Sequence, residues 1–194
     1  MPSVEVLVGT IASGKTTYCK RRAKEGAIII NDDAIVEAIH AGEYNLYDKK
    51  LKPLYKSVEL AIFSSAILLG RDIVIDRGLS LTAHSRKRWI GLAKSFDYVC
   101  LARIFSFDLP YEHARRRFNS DNRGLDFIYW WNVALQHTSV YERPSIDEGF
   151  DYIFTNNLVA DVVEMMLKYC KHPNWDIVAK AMKKLEANFI KRVE

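Results

Sequence analysis

Gly9-Thr10-Ile11-Ala12-Ser13-Gly14-Lys15-Thr16-Thr17 follows an apolar run at residues 4–8 and matches the pattern G-x-x-x-x-G-K-[ST]. Each residue type in it has a chemical use. Gly9 and Gly14 permit a backbone that curls and turns its N–H groups inward, where a side chain would obstruct. Those donors, with the N-terminus of the helix that follows, form a nest for a polyphosphate. Lys15 has the reach and charge to bridge β- and γ-phosphates, and the Thr16 hydroxyl suits Mg²⁺. Residues 9–17 are therefore read as a P-loop for ATP, with Mg²⁺ on its phosphates.

A phosphate nest alone does not separate switches, motors and kinases. The carboxylates narrow the choice. Asp76 ends the apolar stretch Ile73-Val74-Ile75, the position of a Walker-B-type Asp, where it can order Mg²⁺ through water or hold an acceptor. Arg77, next to it, is taken as part of the same acceptor-binding group. Asp32 and Asp33 follow a second apolar run at residues 27–30 and lie beside the P-loop if the second strand neighbours the first. A carboxylate there can accept the proton of an attacking hydroxyl. Both can also serve as caps for the helix they precede.

The cations come later in the chain. Phe107-Asp108-Leu109-Pro110, Arg115-Arg116-Arg117 and Asn122-Arg123-Gly124 describe two helices split by a polar stretch containing arginine. That is the plan of a kinase lid, at about residues 110–126. A guanidinium carried in by such a lid offsets the negative charge on the equatorial oxygens of a transferring phosphoryl group. Side chains of adjacent helical residues point about 100° apart, so Arg115, Arg116 and Arg117 cannot all face the phosphates. Arg117 or Arg116, with Arg123, is the expected pair.

The elements that must position these residues alternate. Strands are expected at residues 4–8, 27–30, 73–76, 97–105 and 152–154, all short and apolar. Helices are expected at about 15–24, up to 41 after the Asn31-Asp32-Asp33 cap, 54–69 with Pro53 in the first turn, 82–95, from Pro110, 125–142 and 159–169. This order implies an α/β P-loop NTPase-type fold: a five-stranded parallel sheet with helices on both faces. Ligands of such sheets sit at the carboxyl ends of the strands, where the P-loop, Asp32-Asp33 and Asp76 all fall.

The chain has 194 residues, enough for one α/β kinase domain at 1–170 and a C-terminal amphipathic helix at 171–194. Trp175, Val178, Met182, Leu185 and Phe189 form one apolar stripe on that helix, suited to its own domain or to homo-oligomer contact. No apolar run spans a bilayer. Strand residues are reached by position 4, so no signal or transit peptide is expected. Cys19, Cys100 and Cys170 lack metal-like spacing and are read as reduced thiols of a cytoplasmic protein. His40, His84, His113, His137 and His172 lack ligand spacing and are assigned no metal. The net charge of +4 does not by itself imply a nucleic-acid partner. The basic clusters Lys20-Arg21-Arg22, Lys49-Lys50 and Arg86-Lys87-Arg88 are read as solvated helix faces. Phe127, Tyr129, Trp130 and Trp131 follow the lid and are read as helix packing rather than base stacking. Tyr44, Tyr47 and Lys49-Lys50 occupy a polar connection that could border the acceptor.

Four landmarks occur in order: the G-x-x-x-x-G-K-[ST] loop, Asp-Asp after the second strand, an Asp closing the third, and the F-D-x-P…R…N-x-x-R-G lid. Over about residues 3–160 the chain resembles the kinase domain of polynucleotide 5′-hydroxyl kinases, within the small P-loop kinases. The resemblance implies that Lys15 and Thr16 hold ATP·Mg²⁺, Asp32 is the general base, Asp76 positions the acceptor, and Arg123, or else Arg117, is the lid arginine. It implies a 5′-OH of DNA or RNA as acceptor. Some members of that family carry basic residues just before and three residues after the catalytic Asp, and this chain has Asn31 and Ile35 there. A nucleoside, sugar or antibiotic therefore stays open as acceptor. No D-x-D-x-T phosphatase signature is present, and the absence of N-K-x-D argues against a GTPase switch.

Overall fold

Five runs too short for helices form the centre of the molecule. In the computed structural model the described residues are 1–78, 80–105, 108–120 and 123–155. The strands are β1 (Ser3–Val8), β2 (Ile28–Asn31), β3 (Ile73–Asp76), β4 (Val99–Ile104) and β5 (Tyr152–Thr155). The helices are α1 (Lys15–Lys24), α2 (Asp32–Ile39), α3 (Lys52–Leu68), α4 (Ala83–Ser95), α5 (Pro110–Ser120) and α6 (Phe127–Ser139). The expected helix at 159–169 and the amphipathic segment at 174–194 lie outside the described residues, as do Phe107 and Asn122 of the lid pattern.

The sheet order is β2-β3-β1-β4-β5. The β2–β3, β3–β1 and β1–β4 pairings are parallel. The second strand therefore does not neighbour the first, and β3 lies between them. Asp76 at the end of β3 is the carboxylate on the strand next to the P-loop, and Asn31 pairs in register with it. Asp32 is set one strand further out.

Side chains alternate across the strands as a two-residue period requires. Val4, Val6, Val8, Ile30, Ile73 and Ile75 pack on one side with Phe63 and Ala66 of α3 and Trp89, Ile90 and Ala93 of α4. Leu7 and Val74 face the other side, against Tyr18 and Cys19 of α1. Glu5 is buried on β1, where its carboxylate accepts from Tyr18 Oη at 2.7 and 2.8 Å and pairs with Arg103 and with Arg22 at 3.6 Å.

Local signals set the helix ends. Gly26, in the left-handed region at φ 93°, follows the end of α1. Asn31 Oδ1 accepts the Ala34 N–H at 2.8 Å and caps α2, so the capping role expected of the whole Asn31-Asp32-Asp33 group falls on Asn31. Asp32 and Asp33 keep most of their oxygens for other partners. Thr82 and Asp126 cap α4 and α6 in the same way. Asp97 turns at φ 58°, which delays β4 to Val99.

Lys20, Arg21, Lys49, Lys50 and Lys87 are exposed as a solvated face requires, but Arg22 and Arg86 are not. Arg22 pairs with Glu5, Glu25 and Asp72. Arg86 is fully buried, donating to both oxygens of Glu148 at 2.7 and 2.8 Å and to the Ser80 and Glu142 carbonyls. It ties α4 to the segment before β5. Arg86→Leu strands the Glu148 carboxylate and two carbonyls, and should cost about 3–5 kcal/mol of stability. Urea unfolding checks this as a lowered midpoint at unchanged slope.

Candidate active site

The P-loop joins β1 to α1 in a turn that excludes side chains. A β-carbon on Gly9 would lie 2.8 Å from Ser13 Oγ and 2.9 Å from Phe105 Cβ, closer than such atoms approach. Gly14 sits at φ 98° immediately before α1, and Ala12 also takes a left-handed conformation at φ 47°. Ser13 Oγ donates to the Thr10 carbonyl at 2.8 Å. Lys15 Nζ reaches back over the loop and donates to the Gly9 carbonyl at 2.8 Å and the Thr10 carbonyl at 2.6 Å. Burial pulls the Lys15 ammonium below the ordinary lysine range, opposed by the negative charge of Asp76 and then by Cys19, Asp32 and Asp33. Thr16 and Thr17 are exposed on the first turn of α1. The glycine cradle, the lysine and the open helix N-terminus fit a nucleotide polyphosphate.

Asp76 is buried at the end of β3 and accepts from Asn31 Nδ2 at 3.0 Å and from Cys19 Sγ at 3.5 Å. It thus joins the P-loop helix to the start of α2. Asp32, at the start of α2, accepts the Asp33 N–H at 3.2 Å and lies 3.5 Å from Arg77 Nε. Burial and then the neighbouring Asp33 push its carboxyl up to about 6, against the pull of Arg77. Arg77 is shared with Glu59 of α3 at 3.3 Å, and Glu59 lies 3.5 Å from Arg88. Glu59 is almost wholly buried, and burial raises its pKa despite both arginines.

Of the arginines expected in a lid, Arg123 reaches the carboxylates of α2. It donates to Asp33 Oδ2 at 2.9 Å and lies 3.5 Å from Glu37 Oε1, with its guanidinium 3.5 Å above the Tyr44 ring centre. Arg117 stacks over the Trp130 ring at 4.6 Å. Arg115 turns to Glu112, and Arg116 turns to Asp108 and the Glu112 carbonyl. The structure therefore links Asp76 through Asn31 to Asp32, Arg77, Asp33 and Arg123, places Lys15 within their electrostatic reach, and leaves Arg117 in the packing of α5 on α6. Tyr44 stacks on Tyr47, and Tyr47 on Tyr55, so the polar connection after α2 makes an aromatic wall next to Arg123. Phe127 and Trp131 pack edge-on against Tyr111, and Phe127 also against Phe118, as the helix-packing expectation required.

Sequence reasoning missed Glu37, Glu59 and two histidines. His137 Nδ1 of α6 lies 3.2 Å from Thr10 Oγ1. His113 of α5 is buried, accepts the Asp108 N–H at 3.0 Å and is acted on by the Ile11 and Ala12 backbone. Ligand spacing was the wrong test for them. Trp130, Ala134 and His137 share a helical face, which is the signal that would have directed His137 toward the domain.

Residues 4–127 match the AAA_33 family model, described as an AAA domain, and the chain belongs to that family. No curated protein sequence matches it significantly. Its fold resembles a candidate kinase from Chloroflexus aurantiacus (14% identity, 88% of this chain and 99% of that one, TM-score 0.53). It also resembles shikimate kinase from Acinetobacter baumannii solved with shikimate (14%, 88% and 96%, 0.53). A third similar structure is shikimate kinase from Bacteroides thetaiotaomicron (15%, 96% and 98%, 0.51). The five-stranded sheet with helices on both faces is the fold it shares with these structures. Among the described residues no helix is long and apolar enough to cross a membrane.

The Asp32 carboxyl titrates higher folded than its ordinary value of 3.8, so the native state binds its proton more tightly than the unfolded chain. The native state loses stability from this group as pH rises from about 4 to about 6. Asp32→Asn removes the penalty, and should stabilise by roughly 3 kcal/mol at pH 7.5 and hardly at all at pH 4. Thermal melts of both proteins at the two pH values measure the difference.

Proposed function

From the premise of an AAA_33 chain with a small P-loop kinase fold, we propose that this protein transfers the γ-phosphate of ATP to a hydroxyl acceptor. The observation that carries the reading is the glycine-lined loop with Lys15 folded over it, facing Asp76 and, beyond Asn31, Asp32 held beside Arg77. A donor half-site and a base for an acceptor are what phosphoryl transfer needs and a nucleotide switch does not.

In this reading the backbone of residues 9–17 cradles the phosphates. Lys15 exchanges its loop carbonyls for β- and γ-phosphate oxygens. Among the described residues no three His, Cys, Asp or Glu side chains are grouped to hold a metal. Thr16 would hold Mg²⁺ with the phosphate oxygens as fellow ligands, and the ion would offset charge at the reacting oxygens. Asp32 accepts the acceptor's hydroxyl proton. The acceptor oxygen bonds to the γ-phosphorus as its bond to the bridging oxygen breaks, and ADP leaves. Asp76, with Asn31, and Arg77 orient the acceptor. Arg123 swings from Asp33 and Glu37 to the transferring phosphoryl oxygens, the role the lid arginine has to fill.

The charge around Asp32 favours a small hydroxylated acceptor. Asp33, Glu37 and Glu59 flank the base, while Arg77 and Arg123 already hold carboxylate partners. A polynucleotide brings its own phosphates to that place. The 5′-OH of DNA or RNA is the second reading, and the lid and Asp-Asp landmarks support it.

Incubation with γ-labelled ATP, Mg²⁺ and a panel of nucleosides, sugars, aminoglycosides and 5′-OH oligonucleotides tests the proposal. Label is expected on a small hydroxylated compound; label on oligonucleotides alone would select the second reading. ATP hydrolysis with no labelled acceptor would rule out a kinase within that panel's chemistry. Asp32→Asn should abolish transfer and leave ATP binding nearly unchanged. The base acts deprotonated, so kcat/KM should rise with pH through about 6 and level off above it.

A further inference from the structure

The P-loop is gripped from outside by the α5–α6 pair. Three successive loop residues, Thr10, Ile11 and Ala12, meet three different groups of that pair. Ile11 packs among Ala114, Trp130 and Ala134. The Ile11 and Ala12 backbone acts on His113, whose Nε2 accepts from Asp108 N–H. A neutral imidazole that accepts at Nε2 carries its proton on Nδ1. Thr10, fully buried, shares its hydroxyl with His137 Nδ1 at 3.2 Å.

Thr10 is the node of the loop. Its carbonyl receives both Lys15 Nζ and Ser13 Oγ, so the position of this one residue sets where the phosphate-binding lysine and the loop's own brace are held. Among the described residues the polar partner of its side chain comes from α6, 127 residues along the chain. Burial, and next the charge of Lys15, keep His137 neutral, with a pKa lowered to about 4. An imidazolium there would oppose both Lys15 and the cation a polyphosphate brings.

We propose that His137 is a positioning residue for the nucleotide: through its hydrogen bond to Thr10 it holds the P-loop in the curvature that binds ATP. The inference rests on the ATP-donor reading above. Removing the imidazole leaves a buried hydroxyl without its partner and lets the Thr10 carbonyl drift. The bond is present before the nucleotide enters, so its loss weakens ground state and transition state alike and acts on KM rather than kcat.

The experiment measures binding of a fluorescent N-methylanthraniloyl ATP to the intact protein, with steady-state turnover alongside. His137→Ala should weaken binding about tenfold, the size expected for leaving one buried polar group unpaired, and raise KM for ATP by a similar factor while kcat changes little. His137→Gln, which can still bond the Thr10 hydroxyl, should recover affinity to within about twofold. Thr10→Val should weaken binding to the same degree as His137→Ala, and the double variant no further. Additive losses, failure of Gln to rescue, or wild-type affinity in His137→Ala would each overturn the role. The ATP-donor reading is tested separately: no binding by the wild-type protein would overturn that reading and this inference with it.

Discussion

A loop that turns its backbone N–H groups toward one point has no room on its inner side for anything larger than hydrogen. At Gly9 the space is closed by Ser13 on one side and Phe105 on the other. Phe105 follows β4, the strand paired to β1, so the loop's curvature depends on the sheet as well as on its own residues. The same turn aims α1 so that Lys15 crosses the loop and Cys19 meets Asp76. Displacing the curl would separate the phosphate nest from the carboxylate on the neighbouring strand.

Around that fixed turn the charges are arranged in pairs. Lys15 is partly buried and faces carboxylates at the ends of β3 and β2. Asp32, Arg77, Glu59 and Arg88 form an alternating row along one side, and Asp33, Glu37 and Arg123 another. Isolated charges in such a partly dehydrated cleft would be costly, whereas alternation keeps each close to an opposite one. It also means that a substrate enters by exchanging partners. In the proposed reaction, phosphate oxygens would replace the loop carbonyls on Lys15 and the carboxylates on Arg123.

Most of the donor half was legible in the chain. The turn at Gly9 and Gly14 and the placing of Lys15 and Thr16 at the start of α1 depend on residues a few places away. The five strands and, among the described residues, the order of helices were readable for the same reason, down to Asp76 closing β3. The acceptor half was only partly legible. Asp32 and Asp33 were marked by type and place, but their assumed nearness to the P-loop rested on a strand pairing that β3 interrupts. Arg123 was expected ahead of Arg117 as the lid cation, and the structure gives Arg117 to the Trp130 ring and Arg123 to Asp33. Arg86 read as surface charge because nothing near it in the chain announces Glu148.

The amino-acid sequence by itself determined the phosphate-binding turn, the α/β alternation and the chemical types available at the strand ends. All of these follow from short-range backbone geometry and from hydrophobic period. Only the tertiary structure decided which carboxylate meets which cation. Arg123 and Asp33 are 90 residues apart, and His137 and Thr10 are 127 apart. Such contacts exist only once strand order and helix packing have brought distant segments together, and no local pattern records that choice.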